Sequence, residues 1–139
     1  MVNRAKLQPF PEALLADALW RSLPRRAECQ AVKVVASADG NFFWFGGFAG
    51  LVEAGPVTVR VARGAPHEAQ IRRAMWVEAI SAEGLARDVL PVWAELVQCA
   101  LPADILGAMF PSGLGPVALA SQFGICRQTA ARYLRGYDG

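Results

Sequence analysis

The ten residues NFFWFGGFAG, 41–50, constrain this chain more than any others. Five aromatic side chains, Phe42, Phe43, Trp44, Phe45 and Phe48, crowd into one short stretch. In an extended strand successive side chains leave opposite faces, so Phe43 and Phe45 point one way while Phe42 and Trp44 point the other. Aromatic groups on both faces require cover on both, from a helix on one side and a partner subunit on the other. The whole uncharged run, Phe42 to Val52, is too short to cross a bilayer as a helix and is rich in glycine.

The flanking sequence fixes how such a strand is paired. AVKVVAS (31–37) and VTVRVAR (57–63) are β-branched and alternate, as half-buried strands do. Asp39-Gly40-Asn41 and Gly55-Pro56 supply the tight turns. The expectation is a three-stranded antiparallel meander with the aromatic strand in the middle.

Elsewhere the period is helical. PEALLADALWRSL (11–23) places Pro11 at the first helical position and Glu12 at the positive end, with Leu14, Leu15, Ala18, Leu19 and Leu23 as its apolar face. Ile71, Met75 and Ala79 recur by fours in the segment from Pro66 to Ser81. The stretch 81–101 reads as a helix kinked or divided at Pro91, and Pro102 opens a further short segment, ADILGAMF. PSGLGP (111–116) is the best linker in the chain. The fold class is therefore α+β: a helix, a three-stranded antiparallel meander and helices over 1–110, followed by a C-terminal segment, 111–139.

Composition bears on partners. Hydrophobic residues make up 54% of the 139 and charged residues 19%. That apolar share exceeds what a small soluble monomer needs, and a homodimer accounts for the surplus, its interface formed by Phe42, Phe43, Trp44, Phe45 and Phe48. Charge is distributed unevenly: residues 66–110 hold three arginines against six carboxylates, whereas 111–139 hold Arg127, Arg132 and Arg135 against Asp138 alone. The first thirty residues are also net basic. A basic terminus suits presentation of one region to an anion.

Several function classes find no support. Cys29, Cys99 and Cys126 are far apart with no CxxC pair, and the lone His67 completes no ligand set, so no metal or other cofactor is expected. The thiols read as reduced and mostly buried, in a cytoplasmic protein, because Pro9, Pro11, Glu12 and Asp17 interrupt any signal-peptide core. Gly46, Gly47 and Gly50 follow a strand but match neither phosphate-loop spacing, so bulges or close backbone packing explain them better. No basic residue is interleaved among the aromatics, as stacking of single-stranded bases requires. The serines lack a GxSxG context, and Glu78 and Glu83 lie five apart, off a common helical face; nothing calls for an enzyme.

The C-terminal stretch ALASQFGICRQTAARYL, 118–134, carries the positive signal. Ala120 is small enough for a crossing helix. Gly124, four residues on, suits a left-handed helix end. Leu119, Phe123 and Ile125 anchor the joint, and Ala130, Tyr133 and Leu134 share an inward face by i+3/i+4 spacing. Arg127, Gln128, Ala131, Arg132 and Arg135 then face out, with Thr129 at the edge. Arg and Gln at the start of such a helix are the side chains that read guanine and adenine edges in the major groove.

Residues 115–136 resemble the C-terminal helix-turn-helix of site-specific resolvases and invertases, and of small phage or plasmid regulators. The resemblance implies a recognition helix from Arg127 onward, with Ser121, Gln122 and Tyr133 touching the DNA backbone. Cys126 stands where Ser or Thr usually caps that helix, and a thiol is a weak acceptor for its orphan N–H groups. The resolvase nucleophile motif Tyr-x-Arg-x-Ser is absent, so recombinase activity is not implied. The expected function is sequence-specific binding of double-stranded DNA by a homodimer, a small transcriptional regulator such as a repressor. The alternative is a protein-binding inhibitor or interaction module that uses the aromatic hairpin 42–48, with the C-terminal helices merely structural.

Overall fold

The computed structural model describes residues 2–24, 30–52, 55–64, 66–82 and 84–134, without the side chains of residues 87, 133 and 134. The chain divides into two compact units, Met1–Ser22 with Arg26–Ala79, and Leu23–Arg25 with Ile80–Gly139. The boundary anticipated at PSGLGP therefore falls inside the second unit. The linker composition there marks a turn between helices, and the helix Leu90–Ala100 before it packs against the helix Arg127–Leu134 after it.

The first unit joins four strands and two helices: β1 (Leu7–Pro9), α1 (Ala13–Arg21), β2 (Val32–Ala36), β3 (Phe42–Gly46), β4 (Val59–Val61) and α2 (Glu68–Ala79). With helices and a sheet both present, the class is α+β. The three-stranded meander, however, is replaced by a four-stranded mixed sheet of order β1-β3-β2-β4. β2 and β3 form the expected antiparallel hairpin, closed by the Ser37 N–H donating to the Asn41 carbonyl at 2.8 Å. β4 does not pair with β3; it lies parallel to β2, with Val32 opposite Val59. β1 runs parallel to β3 on the other side, Leu7 opposite Phe42.

The glycines explain this order. After Gly46 the chain crosses the start of β2 through Gly47, at φ 66, and a 3-10 turn, Phe48–Leu51. A Cβ on Gly47 would lie 2.1 Å from the Ala31 carbonyl oxygen, and one on Gly50 2.2 Å from that of Gln30. Only glycine permits so close a backbone approach. The register of the hairpin also slips between Lys33 and Val34, so that Lys33 faces Gly46 and Val34 faces Trp44, leaving Phe45 as a bulge.

Val32, Val34 and Trp44 share one face of the sheet and are buried; Lys33, Val35 and Phe43 on the other are half-exposed. Phe48 packs against Trp44, edge to face at 6.4 Å, and against Trp20 of α1 at 6.0 Å. In α2, Ile71, Met75 and Ala79 are buried as their spacing predicts, together with Trp76.

The entry to α1 differs from expectation. The helix begins at Ala13, and Glu12 adopts a left-handed conformation (φ 71), unique among the non-glycine residues described. Its carboxylate makes no cap; it pairs with the Arg72 guanidinium and accepts from the Trp76 indole N–H at 3.4 Å. The buried stripe is Ala13, Ala16 and Leu19, whereas Leu14 and Leu15 are 64% and 65% exposed. Small alanines let the helix approach α2 and β3 more closely than leucines would, and that contact overrides the apolar count.

The second unit is helical: α3 (Leu90–Ala100), α4 (Ala103–Met109), α5 (Pro116–Phe123) and α6 (Arg127–Leu134). Pro91 sits in the first turn of α3, where its missing N–H has no helical partner to lose, so it starts a helix rather than jointing one. Leu90, Trp93, Ala94 and Val97 form the buried face of α3, which packs against α6. No helix among the described residues is long and apolar enough to cross a membrane.

Candidate nucleic-acid interface

α5 and α6 are joined by three residues. Gly124 ends α5 in the left-handed region at φ 62 and ψ 35, and its N–H donates to the Ala120 carbonyl. The Ile125 N–H closes on the same carbonyl at 3.2 Å, turning the chain at once. Leu119 from α5 and Ala130 from α6 are fully buried, locking the two helices together. Ala120, Phe123, Ile125 and Ala131 are partly buried around them.

Cys126 begins α6: its carbonyl accepts the Ala130 N–H at 3.1 Å, as a capping residue's does. Its Sγ lies 3.0 Å from the Thr129 hydroxyl. That hydroxyl and the Thr129 backbone N–H hold the thiol below the usual thiol range by favouring its thiolate. The thiol thus does serve as a cap, through the Thr129 N–H, and the Thr129 hydroxyl is a second partner that the sequence did not suggest. Both described cysteines, Cys99 and Cys126, are free and exposed, correcting the expectation that the thiols are mostly buried.

Of the residues expected to contact DNA, Arg127, Gln128 and Arg132 are exposed on α6, and Ser121 and Gln122 on α5. Thr129 is half-buried through its bond to Cys126. Tyr133 belongs to α6, but its side chain, like Arg135 as a whole, lies outside the described residues. No acidic residue occupies the first turn of α6, so the helix dipole and Arg127 add at one positive end.

The aromatic strand has a different environment. Trp44, Phe45 and Phe48 are buried, while Phe42 and Phe43 are half-exposed. The chain itself covers three of the five aromatics, leaving two with surface to offer a partner. The glycine loop that follows holds an anion, and it is the protein's own. Glu78 of α2 accepts the Gly47 N–H at 2.7 Å and the Phe48 N–H at 3.4 Å, and pairs with Lys33 at 3.0 Å. Nothing in the local sequence marks Glu78 for this; it is a long-range contact. His67 precedes α2 and is exposed, with its backbone N–H donating to the Gln70 side chain at 3.2 Å. Among the described residues no three His, Cys, Asp or Glu side chains cluster to hold a metal.

No protein-family model, curated protein or solved structure matches this chain. The functional reading therefore rests on the geometry of α5 and α6.

Proposed function

We propose that this protein binds double-stranded DNA sequence-specifically, with α6 as the recognition helix and α5 as its support, and that it acts as a small transcriptional regulator. The observation that carries the reading is one contrast. Leu119 and Ala130 are fully buried at the joint, while Arg127 and Gln128 stand exposed at the first turn of α6. A rigid pair of short helices with donors at the leading end of the second suits entry into the major groove. Ser121 and Gln122 are exposed near the end of α5, and in this reading they contact phosphate oxygens. The protein acts as a homodimer in this reading, with the half-exposed Phe42 and Phe43 as the part of the aromatic strand available to the partner.

Selection from a random duplex pool tests the proposal. The expected outcome is a preferred inverted repeat whose half-site centres lie about 34 Å apart, one turn of B-DNA. Affinity is expected to fall linearly with salt on a double-logarithmic scale. No duplex binding at low salt would overturn it and turn attention to a protein partner.

A further inference from the structure

Trp93 of α3 is 1% exposed and is held from two directions. Its indole N–H donates to the Ile80 carbonyl at 2.8 Å, in a buried hydrogen bond. Its ring meets Phe123 edge to face, with centroids 5.1 Å apart and planes at 86°. Phe123 is the last residue of α5, directly before the Gly124 turn that leads to Cys126 and Arg127. Packing alone would fix where the indole sits but leave its rotation soft; the hydrogen bond to Ile80 fixes which edge it presents to Phe123.

We infer that Trp93 is a positioning residue for the recognition helix, setting the joint between α5 and α6 and through it the approach of Arg127 and Gln128. The inference rests on the DNA-binding reading above. Bidentate contacts to base edges tolerate displacements of about half an ångström, whereas phosphate contacts by long, flexible cations tolerate more. A ring that sets the joint therefore controls discrimination between sequences more than overall attraction to DNA.

The test compares the full chain with Trp93→Phe, Phe123→Leu and the double variant on a preferred and a scrambled duplex at matched salt. Val34→Ala, which opens the core of the first unit, is the control for lost stability. Trp93→Phe keeps an aromatic ring but loses the N–H. Its preferred-to-scrambled affinity ratio is expected to fall roughly fivefold or more, the lower end of what one bidentate base contact discriminates, with the salt slope unchanged. Phe123→Leu, at a half-buried position, is expected to do the same from the other side, and the double variant to add little to either. Val34→Ala is expected to lower the unfolding temperature yet leave the ratio within about twofold of the parent, since sites that share no partners act independently. An unchanged ratio in both Trp93→Phe and Phe123→Leu, or an equal loss in Val34→Ala, overturns the positioning role and leaves the DNA reading standing. A parent that prefers no duplex overturns both.

Discussion

The Gly47 N–H donates to the Glu78 carboxylate at 2.7 Å, joining the loop after β3 to the last turn of α2. A carboxylate at a helix C-terminus meets the negative end of the dipole, so Glu78 needs these donors and Lys33 to be stable there. The side chain of Glu78 is 17% exposed and that of Lys33 43%. Removing the carboxylate strands two backbone donors at the chain crossing, whereas removing the ammonium affects a solvated ion pair. Glu78→Ala is expected to cost about 1–3 kcal/mol and Lys33→Met about 0.2–1 kcal/mol, measured by urea denaturation. Equal costs would mean that the backbone donors contribute nothing.

The crossing itself is expected to tolerate no side chain. Gly47→Ala and Gly50→Ala would drive a methyl into the carbonyls of Ala31 and Gln30, so both proteins should fail to fold cooperatively. Gly40, at φ 84 with open space around it, sets the contrast. Gly40→Ala is expected to cost about 1–2 kcal/mol, the strain of a left-handed alanine alone. Circular-dichroism melts of the three proteins check this order.

At Glu12 two effects can be separated. Both Glu12→Ala and Glu12→Gly lose the bonds to Arg72 and Trp76, but only glycine accepts φ 71 without strain. The glycine variant is expected to retain about 1 kcal/mol more stability than the alanine variant. An equal or smaller stability in the glycine variant would show that the backbone at Glu12 relaxes once the carboxylate is gone.

For DNA recognition, Arg127→Ala and Gln128→Ala are expected to alter which sequence is preferred as well as how tightly it is held. Each bidentate contact discriminates by about 1–3 kcal/mol, so preference at one operator position should drop roughly tenfold. A uniform loss on every sequence would reassign these side chains to phosphate.

Cys126 links stability to pH. Its thiol is held below the usual thiol range by the Thr129 hydroxyl first, then by the backbone N–H. A group whose folded value is depressed contributes stability above its unfolded value and loses it as pH falls through the folded one. Folding stability is therefore expected to rise with pH between the lowered and the ordinary thiol value, and Cys126→Ser should abolish that rise. Iodoacetamide alkylation of Cys126, followed by mass spectrometry, should show a midpoint below the ordinary thiol range that moves upward in Thr129→Val.

Much of this protein was written locally. Strands β2 and β4 follow from β-branched alternation, α2 from Ile71, Met75 and Ala79, and the α5–α6 turn from Ala120, Gly124 and Ala130. Each depends on neighbours within a few positions, where period and backbone preference act. The exposure of Arg127 and Gln128 and the burial of Ala130 on one helix were legible for the same reason. What the tertiary structure decided lies at long range. β1 is three residues ending in proline and carries no signal of its own; it exists because β3 offers an edge. β4 found β2 instead of β3 because Gly47 and Gly50 let the chain cross against backbone. α1 buried alanines and left Leu14 and Leu15 outside, and Glu78, Glu12 and Trp93 found partners that no local pattern names. Hydrophobicity and period state how much of each element must be covered, but which surface covers it is settled only when the elements meet.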